Sequence, residues 1–178
     1  ADLRAHFGPF SVAFTKCLGD AIDIAERAAN AGRPFIIACG GDGTINEVAN
    51  GILRSGKDAE LGVMPSGTGG DFRRTLGLPN SNREAAAALR TGETRWIDAG
   101  KVTFSDLSGK TVSRYFLNVS SLGLAASIIK RVKSAKVFDW LPVASLRGQA
   151  NFAASTLQEV LDLDPVTIRV SLDDGEER

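Results

Sequence analysis

Hydrophobic positions in the first half of the chain alternate between short continuous runs and helical spacing. The continuous runs are rich in β-branched and aromatic residues, and they predict strands over 10–15, 34–38 and 61–64. The helically spaced apolar residues predict helices over 20–31, from about 44 to 53, from within 65–72 to about 76, and over 81–90. Because strands and helices alternate, we expect an α/β fold with a parallel sheet.

Two of these helices carry recognisable end signals. Gly32 follows the first helix as a C-cap, and Pro34 prevents the helix from continuing. Ser81 precedes the last helix with Glu84 three residues later, which is the pattern of a capping box. These signals predict the end of the first helix and the start of the helix over 81–90.

The pattern changes after about Thr94. Apolar or alternating segments at 95–104 and 112–119 flank a turn and predict an antiparallel hairpin. Further elements are predicted as helices over 122–136 and 143–163 and as a last strand over 166–172. We therefore expect two domains, 1–94 and 95–178, the second being incomplete.

Composition and charge exclude several classes of protein. The 21 basic and 21 acidic side chains cancel, which argues against a nucleic-acid-binding protein. His6 is the only histidine, and Cys17 and Cys39 lie far apart, so neither a histidine-based metal site nor a disulfide framework is indicated. No apolar run approaches the roughly 20 residues of a membrane-spanning helix. A cytoplasmic protein is the resulting expectation.

Two glycine-rich segments follow the second and third predicted strands. The first reads GGDGT from Gly40 to Thr44, and the second reads PSGTGGDF from Pro65 to Phe72. Glycine allows positive φ and close approach of a ligand, and the amides at a helix start attract phosphate. Because parallel strands end at one edge of a sheet, both loops should meet there and form a nucleotide site.

Both glycine-rich segments are also compatible with a purely structural role. Each is a good turn sequence, and Asp42, Thr44 and Asp71 are suitable as simple helix caps. Asp42 is unusual beside a polyanion; it fits if it meets a cation or ribose hydroxyls, or if neighbouring amides orient it. Neither segment is a Walker A motif or a Rossmann GxGxxG motif.

The segments GGDGTINEVANG (40–51) and MPSGTGGDFRRTLGLP (64–79) resemble the two signatures of the diacylglycerol kinase catalytic-domain family. The resemblance implies an enzyme that uses Mg²⁺ and transfers the γ-phosphate of ATP to a lipid hydroxyl. It also implies a role in lipid metabolism and phospholipid biosynthesis. It also implies a phosphofructokinase-like nucleotide-binding domain, here without its first strand, followed by a mainly β domain. The nucleotide-binding residues that it implies are Gly40, Gly41, Asp42, Gly43, Thr44, Glu47, Ser66, Gly67, Thr68 and Asp71.

Some parts of the family pattern differ or are missing. Gly70 stands where the second signature commonly has Asn. The general base and the acidic metal ligands are expected beyond Arg178, so the catalytic and metal residues are unknown. This chain alone would then bind nucleotide at best and be catalytically silent.

A lipid kinase must also meet its substrate at a bilayer, and the chain contains a segment suited to that task. Basic residues over 130–136 precede Phe138, Trp140 and Leu141, a pattern that fits an anionic membrane surface. The same residues also fit an ordinary solvated helix face with Trp140 in a core. The lipid would then be a partner at a membrane that the protein meets peripherally, and an exposed sheet edge would allow a homodimer.

Two alternative functions remain. GGDGT also occurs in NAD kinases, which phosphorylate a soluble substrate, but PSGTGGDF is not expected in them. A non-catalytic nucleotide-binding module is the other alternative, because Gly70 replaces the usual Asn.

Overall fold

The computed structural model describes residues 2–66, 70–79, 81–121, 127–128, 130 and 144–162. Its helices are α1 (Asp2–Phe7), α2 (Asp20–Asn30), α3 (Asp42–Ser55), α4 (Asp71–Thr75), α5 (Asn82–Thr91) and α6 (Ala144–Leu161). Its strands are β1 (Phe35–Gly40), β2 (Glu60–Pro65), β3 (Gly100–Ser105) and β4 (Thr111–Phe116). The chain forms two compact units, Ala1–Val119 and Ser120–Arg178.

The strands β1 and β2 pair in parallel, and α3 connects them. Phe35 lies opposite Glu60 at one end of the register, and Gly40 lies opposite Pro65 at the other. This arrangement confirms the predicted strands at 34–38 and 61–64 and the parallel α/β character of the fold. Both glycine-rich segments follow the carboxyl ends of these paired strands.

Helices cover both faces of the parallel sheet. Ala38 and Val63 lie opposite each other and pack with α2, α3 and α4, whereas Ile37 and Met64 contribute to the cluster formed with α5. Successive side chains of a strand point to opposite faces, so two short strands supply both cores. The larger core contains Ala21, Ala25, Ala38, Ile45, Val48, Ile52, Val63 and Phe72.

The predicted strand at 10–15 is wrong. These residues form no strand, and their apolar side chains are exposed, to 83% at Phe14. A β-rich composition favours an extended backbone, but a strand also needs a neighbour for its hydrogen bonds. Among the described residues the parallel sheet therefore has two strands instead of the expected three.

The predicted hairpin is confirmed with shorter strands. The strands β3 and β4 pair antiparallel with Gly100 opposite Phe116, and Asp106 closes the turn by accepting from the amides of Ser108 and Lys110. The Ser108 hydroxyl also donates to Asp106, and this side-chain bond is the largest cause of the lowered pKa of the Asp106 carboxyl group, to which the amide bonds add. The hairpin belongs to the first compact unit, which extends to Val119. The domain boundary near Thr94 stays a prediction.

Of the elements predicted for the last part of the chain, the helix over 143–163 is confirmed as α6. Its Asn151 and Ser155 are buried, one turn apart, whereas Phe152 is exposed. The predicted strand 166–172 and most of the predicted helix 122–136 lie outside the described residues. The same holds for the proposed membrane segment apart from Lys130.

The predicted C-cap at Gly32 and the predicted N-cap at Ser81 are confirmed. Gly32 adopts φ +78° and donates to the carbonyl of Ala29, while Arg33 donates to that of Ala28, which together form a Schellman motif. The hydroxyl of Ser81 accepts from the amide of Glu84 at 3.2 Å.

The helices α2 and α3 approach each other closely at Gly51. A Cβ atom at Gly51 would lie 2.3 Å from the carbonyl oxygen of Ile22 and 2.7 Å from Cβ of Ala25. The obstacle is backbone, so it cannot rotate away. Gly51 therefore sets the distance between the two helices that cover one face of the sheet.

We expect Gly51→Ala to destabilise the protein by about 1–3 kcal/mol, because the methyl group must push the two helices apart. Gly43→Ala is the matched control, since a Cβ atom there meets nothing within 4 Å. The control should be neutral or stabilising by up to about 1 kcal/mol, from helix propensity alone. Urea denaturation measures both; equal stability of the two variants would contradict the close approach.

Candidate functional site

The first glycine-rich loop is a tight turn between β1 and α3. Thr44 folds back over Gly40, where a Cβ atom would lie 2.7 Å from the Thr44 hydroxyl oxygen. Gly41 is the N-cap of α3, with φ −84° and no side chain to cap the helix. Gly40 thus allows close packing at a helix start, and none of the glycines of this loop adopts positive φ.

The carboxylate of Asp42 joins the two glycine-rich loops. Its Oδ1 accepts from the amide of Phe72 at 2.9 Å, and its Oδ2 accepts from the amide of Asp71 at 3.3 Å. These amides begin α4, whose own N-cap, Gly70, has no side chain to serve this purpose. The amide of Ser66 also donates to the carbonyl of Gly40 at 3.0 Å. The prediction that both loops meet at one sheet edge is confirmed.

A cleft of about 160 Å³ opens beside this junction. Its polar lining consists of two carboxylates, Asp42 and Asp71, and two amides, Asn46 and Asn118. The remaining lining residues are apolar: Ile45, Phe72, Phe116, Leu117 and Val119. None of these described lining residues is basic, so the cleft suits a ligand group with hydroxyl or amine donors next to an apolar surface.

Asp71 is exposed at the cleft and forms an ion pair with Arg74, one turn along α4. Both side chains are more than half exposed, so this surface pair contributes little stability. A bound ligand with hydrogen-bond donors therefore competes for the Asp71 carboxylate at low cost.

Glu47 does not line the cleft. Its Oε1 accepts from the amide of Gly19 at 3.0 Å, and its Oε2 accepts from the amide of Ala21 at 3.3 Å. Glu47 therefore lies on α3 and caps the start of α2, which is a structural position outside the cleft.

In the turn before α2, Asp20 accepts from the Cys17 thiol and raises the pKa of that thiol, so Cys17 is a weak nucleophile.

Only some of the remaining residues predicted to bind the nucleotide lie in the part of the chain that the structure describes. Ser66 is exposed next to the first loop, whereas Gly67 and Thr68 lie outside the described residues. Gly70 has φ +65° and ψ 31°, the left-handed conformation that Asn tolerates better than most residues. The backbone of this chain at position 70 would therefore accept Asn as well as Gly.

Sequence reasoning missed the contribution of the hairpin and of Asn50. Phe116 and Asn118 line the cleft from the end of β4, and no local signal connects them to the glycine-rich loops. Asn50 is only 1% exposed. An amide among the apolar positions of a predicted helix was the available signal for its role.

The described residues contain neither a metal centre nor a membrane span. No group of three or more His, Cys, Asp or Glu side chains among them is placed to hold a metal ion. Both oxygens of Asp42 accept from amides, and Asp71 is paired with Arg74. The described residues therefore do not fit a magnesium site by themselves. No helix in this part of the chain is long and apolar enough to cross a bilayer.

The fold and the site define an α/β protein with a cleft at the carboxyl edge of a parallel sheet, built on two glycine-rich loops. The family model for the diacylglycerol kinase catalytic domain matches residues 1–102, which include both loops. The chain belongs to this lipid kinase family.

Comparison with individual proteins agrees with this assignment. The chain is 33% identical over 160 residues to a diacylglycerol kinase of Bacillus subtilis, covering 89% of the chain and 48% of that protein. It is 32% identical over 161 residues to a diacylglycerol kinase of Staphylococcus epidermidis, covering 90% and 46%. A crystal structure of a diacylglycerol kinase from Bacillus anthracis superposes with a TM-score of 0.57 at 31% identity, covering 78% of this chain and 44% of that one. The chain spans about half the length of the curated relatives named here.

Asp42→Ala should destabilise the protein by about 0.5–2 kcal/mol, because the first amides of α4 lose their cap. Asp58→Ala, at an exposed position near the opposite end of β2, is the matched control. Hydrogen exchange should accelerate at Asp71 and Phe72 in Asp42→Ala only. Unchanged exchange at both amides would show that Asp42 does not hold the second loop.

The left-handed conformation of Gly70 predicts a ranking of substitutions. Gly70→Asn should cost less than about 0.5 kcal/mol, whereas Gly70→Val should cost about 1–2 kcal/mol, since a β-branched residue is strained at positive φ. The Arg73 side chain, 3.2 Å from the position of a Cβ atom, is flexible enough to make room. Urea denaturation of the two variants measures the ranking; an equal cost would contradict it.

Proposed function

We propose that this chain forms the nucleotide-binding part of an ATP-dependent lipid kinase that transfers the ATP γ-phosphate to a lipid hydroxyl such as that of diacylglycerol. The observation that carries the proposal is the pair of hydrogen bonds from the amides of Asp71 and Phe72 to Asp42. They hold two glycine-rich loops side by side at a cleft, the usual ligand position of α/β sheets. Membership of the diacylglycerol kinase family supplies the reaction class.

The proposed roles rest on the family resemblance and on the positions of the described groups. The loop Gly40–Thr44 and the segment Ser66–Thr68 contact the phosphates through amides and hydroxyls. Asp71, with Asn46 and Asn118, takes the ribose hydroxyls. In this scheme Asp42 orients the second loop, and Glu47 supports the site indirectly by joining α3 to the start of α2.

Phosphoryl transfer depends mostly on positioning and on stabilising the charge of the transferred group. This chain would contribute the positioning: it holds the nucleotide and keeps water from one side of it with the apolar lining of the cleft. Mg²⁺ would neutralise phosphate charge when bound, through ligands other than the described residues.

The proposed whole protein pairs a phosphofructokinase-like nucleotide-binding domain with a mainly β domain, to which the hairpin β3–β4 leads. It would work in the cytoplasm and meet its lipid substrate peripherally at a membrane surface. Support for this arrangement comes from the family match and from the antiparallel hairpin that follows the α/β part.

The test is a phosphoryl-transfer assay on the full-length protein with γ-labelled ATP, Mg²⁺ and a panel of lipids in mixed micelles. We expect label in one class of lipid, and a loss of rate of roughly 10- to 100-fold in Asp42→Asn, because misplaced groups are costly in positioning catalysis. Asp58→Asn, which changes the same charge at an exposed position, should keep the wild-type rate.

Two results of this assay would replace the proposal. Label in NAD, with none in any lipid, would identify a kinase for a soluble substrate. ATP binding without transfer to lipid or NAD would identify a nucleotide-binding module.

A further inference from the structure

Asn50 forms an unusual connection between α3 and the hairpin. Its Oδ1 accepts from the amide of Tyr115 at 2.8 Å, and its Nδ2 donates to the carbonyl oxygen of Tyr115, also at 2.8 Å. The same Nδ2 donates to the carbonyl oxygen of Asn46, one turn earlier in α3, at 2.8 Å. The side-chain amide therefore pairs with the backbone of β4 much as a neighbouring strand would.

This connection is selective because it is buried. Asn50 is 1% exposed, so each polar atom that lost its partner there would lack solvation by water. The donor and the acceptor of the amide match the carbonyl and the amide of one particular residue of β4. A shift of β4 along its length would break both bonds to Tyr115, so Asn50 fixes the register of β4 against α3.

The residues that follow Tyr115 form one wall of the cleft: Phe116, Leu117, Asn118 and Val119. On the other side, Asp42 and Asn46 line the cleft from α3. Asp42, Asn46 and Asn50 are spaced four residues apart and occupy one stripe of that helix. The residue that holds the hairpin wall thus belongs to the same stripe as two residues of the opposite wall.

A second contact between the hairpin wall and the rest of the site is weaker. The hydroxyl of Thr75 donates to Oδ1 of Asn118 at 3.4 Å, near the limit of a hydrogen bond, and both residues are exposed. Leu117 of the wall also packs against the core, but apolar packing has no preferred direction, so the buried hydrogen bonds of Asn50 are the contacts that select one register.

We propose that Asn50 is a positioning residue for the ligand cleft: it sets the hairpin wall at the distance from Asp42 at which both walls contact the same nucleotide. The proposal rests on the nucleotide-binding function proposed above. Asn50 itself does not touch the ligand, and its effect passes through Tyr115 to Asn118.

The decisive variant is Asn50→Asp in the full-length protein. It keeps the shape and the acceptor for the Tyr115 amide, but it places an oxygen against the carbonyl oxygens of Asn46 and Tyr115. We expect the KM for ATP to rise about tenfold or more, because the wall moves away from the nucleotide.

A matched control separates positioning from loss of stability. Ile52→Ala removes buried volume from the same helix, in the core, at a side chain that does not line the cleft. It should lower the Tm at least as much as Asn50→Asp and leave the KM for ATP within about twofold of the wild type. An increase of KM in Ile52→Ala equal to that in Asn50→Asp, or no increase in Asn50→Asp, would overturn the proposal.

A measurement on the wild type covers the case in which Asn50→Asp does not fold. Saturating ATP should slow hydrogen exchange at the amides of Tyr115 and Asn118, since a ligand that contacts the wall opposes its opening. Exchange at these amides that is unaffected by bound ATP would overturn the proposal. A wild type that binds no ATP would contradict the proposed function itself, which distinguishes the two failures.

Discussion

The site depends on one contact at the edge of the parallel sheet, in which the carboxylate of Asp42 accepts from the amides that begin α4. The second glycine-rich loop has no capping side chain of its own at Gly70, so the start of α4 needs an acceptor from elsewhere. Asp42 supplies it from the start of α3. The parallel pairing of β1 and β2 brings the two loops to one edge of the sheet, and the hydrogen bonds of Asp42 fix the second loop relative to the first.

The position of the glycine-rich loops could be predicted from the sequence, because parallel strands end at a common edge and each strand had a clear apolar run. Contact of Asp42 with neighbouring amides was one of the roles that its position in the loop allowed. Its particular partners could not be predicted, since they depend on where α4 begins. The strand predicted at 10–15 was wrong because its partner, like the partners of Asp42, depends on the fold. The composition of this segment favours an extended backbone but does not provide a neighbouring strand.

The contribution of the hairpin to the site was beyond sequence reasoning. Asn50 and Tyr115 are 65 residues apart, and nothing near either residue indicates the other. The predicted boundary near Thr94 also places β4 in a different domain from α3, so it gives no reason to expect a contact between them. A buried amide in a helix requires partners, so the existence of a partner could be inferred, but its identity required the fold.

Most of the first glycine-rich signature lies in α3, and two stripes of this helix make different contacts. Asp42, Asn46 and Asn50 lie on one stripe and face the second loop, the cleft and the hairpin, respectively. Glu47 and Gly51, four residues apart on another stripe, face α2, one as a cap for its start and the other as the point of closest approach. Because the contacts of Glu47 and Gly51 fix α3 against α2, they also fix the orientation of the stripe that faces the cleft. The signature therefore contains both the residues that face the cleft and the residues that orient them.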